Sequence, residues 1–301
     1  MASLVPTPNF VRSEAEPSSD GIGISCASVS SGYLGTEVLR EISFSIQEPS
    51  VYVVLGPNGA GKTTLFRTLS GILRPYRGEV RIGGVAIDRQ ASRNQLHYVS
   101  HLDGIPEGLR VREALNVYAR VERATPADVE RVLDLLAIRE LADQYLSQLS
   151  AGQKKRVSIA RIFLRERAIY LLDEPTASLD PKVAREIRTL ILGLARNKIV
   201  LYSSHNLFEA REIGRYVLAI KNGRITLFDR IENLRSSHFV VGIRLVEPSA
   251  ATAGFAREGD YFLRELSGPE EVPALLRNLD SQGAKIREVR EMNNPLEDLF
   301  T

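Results

Sequence analysis

Eight consecutive residues, Gly56-Pro57-Asn58-Gly59-Ala60-Gly61-Lys62-Thr63, fit the pattern G-x-x-x-x-G-K-[ST]. Glycines in such a loop let backbone N–H groups turn inward and cradle phosphates, and a following helix N-terminus adds its partial positive charge. Lys62 would reach the β- and γ-phosphates of a nucleoside triphosphate. The Thr63 hydroxyl would ligate Mg²⁺, and Thr64, which opens the helix-forming run Thr64 to Leu73, completes the cradle. With four specified positions and ~7% glycine, a chance match in a chain this long is roughly one in a hundred. A second segment, Ala168-Ile169-Tyr170-Leu171-Leu172-Asp173-Glu174, is an apolar run ending in two acids. Alone it reads as a strand entering a polar turn. Behind a phosphate loop it gains chemistry: Asp173 would hold the Mg²⁺ shell, and Glu174 would polarise an attacking water.

Both segments need elements to place them. Val51 to Leu55 is a continuous apolar run that reads as a buried strand delivering the loop. Ile42, Phe44 and Ile46 alternate with serines, the period of a half-buried strand, and Gly83-Gly84 reads as a hairpin turn. The period then changes: Val111, Leu115, Tyr118 and Val121 fall on one helical face, as do Val129, Val132, Leu133 and Leu136. Thr125 caps the second helix, with Pro126 in its first turn. A mostly helical insert at about residues 97–155 thus interrupts an α/β pattern. The pattern resumes with the strand Ala168 to Leu172, a helix at Pro181 capped by Asp180, and strands at Ile199 to Ser203 and Val217 to Ile220. Residues 1–20 read as a mobile tail, 21–232 as the main domain and 233–301 as a small α+β domain.

Composition bounds the rest. The 301 residues amount to about two domains, with 44% apolar and 25% charged residues, ordinary for a soluble globular protein. A formal net charge of +2 gives no electrostatic reason to expect nucleic acid as a partner. Cys26 is the single cysteine, so neither an intrachain disulfide nor a cysteine metal cluster is expected, and a reducing compartment is. No apolar run approaches the ~20 residues that span a bilayer. The N-terminus lacks the pattern of a signal peptide, which points to the cytoplasm.

Leu149-Ser150-Ala151-Gly152-Gln153 narrows the reading further. From about residue 22 to 232 the chain resembles the ATP-binding-cassette (ABC) ATPases, whose signature reads LSGGQ at the start of a helix. Ser150, Gly152 and Gln153 match that signature, with Ala151 replacing a glycine. The resemblance implies a P-loop NTPase fold with a RecA-like core, an antiparallel β subdomain and a helical subdomain. It implies that Tyr33, 23 residues before Gly56, stacks on adenine. Asp180 of Ser178-Leu179-Asp180 would communicate across a dimer, and His205, 31 residues after Glu174, would contact the γ-phosphate. The simpler readings are an exposed tyrosine, a helix cap and an incidental histidine. The family's usual glutamine after the strand Leu96-His97-Tyr98-Val99-Ser100 is missing, and His101 stands there, either as a replacement or as a spacer. Lys154-Lys155-Arg156 reads as a solvated helix face.

The resemblance further implies a head-to-tail dimer, formed with a second copy or a related ABC subunit. ATP and Mg²⁺ would be held between the P-loop of one subunit and the signature of the other. The partner would be a membrane permease, with this chain peripheral on the cytoplasmic face. Asn293-Asn294-Pro295-Leu296-Glu297-Asp298-Leu299-Phe300 resembles the ending of exporter ATPases, or is simply a docking helix. The expectation is therefore the ATPase subunit of an exporter. Two alternatives stand beside it: a soluble ABC ATPase without a permease, and an ATP-binding scaffold that does not turn over. The first fits poorly with a single cassette whose Ser150 lies only 88 residues after Lys62, which leaves no room for a long coiled coil.

Overall fold

The computed structural model describes residues 22–88, 92, 94–100, 107–177, 179–234, 239–247 and 249–292. The chain divides into two compact units, with the boundary in the sequence between Ile231 and Glu232.

The larger unit is built on a six-stranded sheet of order β10-β9-β3-β8-β7-β6. Its strands are β3 (Ser50–Leu55), β6 (Leu96–Val99), β7 (Ile169–Asp173), β8 (Ile199–Ser204), β9 (Tyr216–Lys221) and β10 (Arg224–Arg230). All pair in parallel except β10, which runs antiparallel to β9. Every residue of β3, β7 and β8 is buried, as expected of central parallel strands covered on both faces. A second, antiparallel sheet has order β2-β1-β4-β5, from β1 (Ile24–Tyr33), β2 (Thr36–Ile46), β4 (Arg77–Ile82) and β5 (Val85–Ala86). Leu65, Phe66 and Leu69 of helix α1 (Lys62–Leu69) share one buried cluster with Ile24, Val29 and Ile42 of this sheet and Leu171, Leu201 and Leu218 of the parallel one. The phosphate-loop helix is thereby fixed between two sheets.

Helices α2 (Val111–Glu122), α3 (Pro126–Leu135) and α4 (Ala151–Ala160) form the helical part. Thr125 caps α3 as its sequence foretells, and Asp128 bonds back in a capping box. The expected stripe on α3, Val129, Val132, Leu133 and Leu136, is buried. On α2 the buried residues are Val111, Ala114, Leu115 and Ala119, whereas Val121 is 74% exposed. Buried Ala114 lies only ~20° from Val121 around the helix, so Val121 is exposed by its place in the last turn of α2 rather than by its direction. The strand β6 also takes residues 96–99 into the parallel sheet, so the stretch 97–155 begins with a core strand. Helix α4 continues as a 3₁₀ turn, Arg161–Phe163. Helices α5 (Pro181–Leu194) and α6 (Leu207–Ile213) complete this unit.

Among the described residues the smaller unit is a four-stranded antiparallel sheet of order β12-β13-β11-β14 with one α-helix. Its elements are β11 (Phe239–Leu245), β12 (Ala256–Glu258), β13 (Tyr261–Leu266), α7 (Val272–Ser281) and β14 (Ile286–Glu291). Val241 and Ile243 of the sheet, Leu279 of α7 and Ala284 form its own buried core. Among the described residues, no helix is long and apolar enough to cross a membrane.

Candidate functional site

Strand β3 ends at Leu55, the loop Gly56–Gly61 follows, and α1 begins at Lys62. Two glycines are required by space. A Cβ on Gly56 would sit 2.5 Å from the Ile220 carbonyl oxygen, and one on Gly61, at φ +110°, would sit 2.7 Å from the Leu39 side chain. Gly61 offers no side-chain cap, so the first N–H groups of α1 are left without a side-chain acceptor, the condition that suits an anion. The buried Lys62 ammonium donates to the carbonyls of Gly56 at 2.7 Å and Pro57 at 3.3 Å. Burial holds its pKa below the usual lysine range, with Glu174 and Asp173 pulling it back up.

Asp173 ends β7 at 1% exposure. Its Oδ1 accepts from the Ser203 hydroxyl at 2.7 Å, across the β7–β8 register that pairs Asp173 with Ser203. Its Oδ2 is buried without a hydrogen-bond partner. A buried anionic oxygen with no donor is costly, and a cation satisfies it. Among the described residues no group of three or more His, Cys, Asp or Glu side chains could hold a metal. Mg²⁺ is ordinarily held by one or two protein groups and completes its shell with phosphate oxygens and water. Thr63, half-buried at the head of α1, and Asp173 are the residues that fit.

The Ser203 hydroxyl also accepts from the Glu174 N–H at 2.9 Å, which fixes the backbone of the next residue. Glu174 has φ +48°, the left-handed region. Its Oε1 lies 3.3 Å from Nδ1 of His205, whose side chain is 60% exposed where β8 ends. Lys62, Asp173, Glu174 and His205 thus gather at the carboxyl ends of β3, β7 and β8, where ligands bind in parallel sheets.

The other expected site residues bond locally. Ser150 caps α4: its oxygen accepts from the Gln153 N–H at 3.3 Å, and the Ser150 N–H donates to Gln153 Oε1 at 2.9 Å. The Ser150 hydroxyl keeps its own hydrogen for donation outward. The nearest atom to a Cβ on Gly152 is Leu179 Cδ2, at 3.9 Å, so a side chain there would meet only ordinary contact. Asp180 caps α5 by accepting from the N–H groups of Lys182 and Val183, both at 3.1 Å. Tyr33 is 38% exposed; its hydroxyl accepts from Arg67 at 3.2 Å, and that guanidinium lies 5.9 Å from the ring centroid. Lys154 pairs with Glu107 at 2.7 Å on the surface. His101, Ser178 and the segment Asn293–Phe300 lie outside the described residues.

Sequence reasoning missed Ser203 as a member of the site. Its signal was a hydroxyl at the end of the strand that neighbours Asp173, visible only once β7 and β8 are known to pair.

Residues 39–177 match the sequence model of the family described as "ABC transporter". The Nod factor export ATP-binding protein I of Rhizobium johnstonii is 32% identical over 210 residues, 67% of this chain and 68% of that protein. The sulfate/thiosulfate import ATP-binding protein CysA of Bradyrhizobium diazoefficiens is 31% identical over 245 residues, 75% of this chain and 71% of that one. A solved structure of the ATP binding subunit of an ABC transporter superposes with a TM-score of 0.65 at 25% identity, covering 70% of this chain and 91% of that one.

Proposed function

This chain belongs to the ABC transporter family of ATP-binding proteins, and we propose that it is the ATP-hydrolysing subunit of an exporter, driving a separate membrane permease. The observation that carries the hydrolytic reading is the joint placement of Lys62, the unpartnered Asp173 Oδ2 and the Glu174–His205 pair at one sheet edge.

In this reading Lys62 exchanges its loop carbonyls for the β- and γ-phosphates, and the N–H groups at the start of α1 face the same charge. Tyr33 stacks on adenine. Thr63 and Asp173 hold Mg²⁺, which when bound neutralises developing phosphate charge. Glu174 orients the attacking water and draws off its proton. His205 sits against Glu174 Oε1 through Nδ1, so Nε2 is the ring nitrogen left to contact the γ-phosphate. Ser150, Gly152 and Gln153 of a second subunit close over the phosphates, their capping geometry already formed, so two chains sandwich two ATP molecules head to tail. Loss of the γ-phosphate removes contacts on both sides and lets the pair open. Export is favoured by the sequence of the segment Asn293–Phe300, since the similar proteins include both an export and an import protein. The chain would then lie on the cytoplasmic face of the membrane.

Steady-state ATPase assays on wild type and Glu174→Gln test the chemistry. Turnover is expected in the wild type; the variant should bind ATP, turn over far more slowly and accumulate as a nucleotide-bound dimer. ATP binding without turnover in the wild type would instead leave a non-hydrolysing scaffold. Direction is tested by co-purifying the membrane partner and reconstituting the pair in vesicles. Export predicts solute moving away from the ATP side, and accumulation on that side overturns it.

A further inference from the structure

We propose that Glu209 is the positioning residue that holds Glu174 and His205 in register, by fastening together the two loops that carry them. This role rests on the hydrolytic reading above.

Glu209 sits in the first turn of α6, four residues past His205, with its N–H bonded to the Asn206 side chain. Its carboxylate is 11% exposed and reaches both loops at once. One oxygen, Oε1, accepts from the hydroxyl of Thr176, two residues past Glu174. The other, Oε2, accepts from the Ser204 hydroxyl at 2.8 Å, and Ser204 directly precedes His205. Ser204 in turn accepts from the N–H of Asn206 at 3.0 Å, so the backbone on both sides of His205 is tied to this carboxylate.

The remaining partners make the clamp stiff. The Tyr202 hydroxyl, wholly buried in β8, bonds the Thr176 oxygen. Arg188 of α5 donates to Oε1 at 3.2 Å and pairs with Glu212 at 2.9 Å, and its side chain is only 13% exposed. The Glu209 charge is therefore compensated where water is largely excluded, the condition in which hydrogen bonds to a carboxylate are strong. Glu174, Thr176, Ser204, His205 and Glu209 line one cleft of about 390 Å³. Glu174 and His205 meet each other only through a 3.3 Å contact in which the histidine is largely exposed. Their separation is fixed from behind, by an acid that has no need to touch nucleotide.

The test uses the full chain and reads kcat separately from ATP affinity. Glu209→Ala should lower kcat by about tenfold or more, towards the ~10²-fold that a misplacement of about 1 Å costs, while ATP Kd stays within about twofold. Glu209→Gln should recover activity to within about threefold, because its amide can still accept from Thr176 and donate to Ser204. In a His205→Ala background Glu209→Ala should cost clearly less than in the wild type, since only Glu174 is left to position. Should the alanine variant fail to fold, Ser204→Ala removes the same link from the other end and must show the same loss of kcat and the same non-additivity. Wild-type kcat in a folded Glu209→Ala or Ser204→Ala variant, a loss confined to ATP affinity, or full additivity with His205→Ala overturns the role. Absence of turnover in the wild type overturns the hydrolytic reading itself. Wild-type turnover left unaltered by Glu209→Ala overturns the positioning role alone.

Discussion

The two oxygens of Asp173 live under different conditions: one takes a hydrogen bond from Ser203, and the other has no protein donor. Ser203 is the hinge of that arrangement, because the same hydroxyl also receives the Glu174 N–H. Ser203→Ala should lower the stability of the nucleotide-free protein by about 1–3 kcal/mol, the usual cost of leaving a buried acceptor unsatisfied. It should lower kcat as well, by loosening the Glu174 backbone. Denaturant melts and ATPase rates on one preparation check both, and an unchanged melt would show that water or ions supply the missing bond. At this scale, legibility followed sequence distance. Gly56 to Thr63 could be read because their chemistry lies in eight contiguous residues. Ser203 and Glu209 could not, because Asp173 and Thr176, the partners that tie them to the site, lie about 30 residues away and meet them only through the pairing of β7 with β8.

Asp180 shows how one element can serve two readings. It caps α5 through two backbone N–H groups, and Pro181 in the first turn leaves one fewer donor to satisfy. Asp180→Ala should therefore cost about 1 kcal/mol, whereas Asp180→Ser, an equally good cap, should restore the melt. If capping is its whole role, the serine variant should also hydrolyse ATP at the wild-type rate. A serine variant that is stable yet slow would place the carboxylate itself in the cycle. Elements with a strong local period were legible in advance: the buried run Val51 to Leu55, the capped helix α3 and the change of period at Val111. The strand β10 and the short β12 were not, since β10 mixes half-buried and exposed positions and all three residues of β12 are exposed. Their place comes from pairing with β9 and β13 rather than from any pattern of their own.

At the scale of the whole molecule, two separate cores lead to two separable transitions. The larger unit encloses the two-sheet core, while the smaller, residues 232–301, closes around Val241, Ile243, Leu279 and Ala284, few buried apolar side chains among its described residues. Calorimetry should show the smaller unit melting first. ATP with Mg²⁺ at about 100 times Kd should stabilise only the larger unit, by about 2.7 kcal/mol. A single transition that shifts as a whole with nucleotide would contradict this. The left-handed backbone at Glu174 gives that stability an evolutionary side. A glutamate there sits where asparagine or glycine is more comfortable, by about 1–2 kcal/mol for the backbone alone. Glu174→Asn should therefore melt at a higher temperature than the wild type while losing turnover. A lineage no longer selected for hydrolysis would drift towards that residue, so among descendants of this chain the sturdiest would be those that had stopped working.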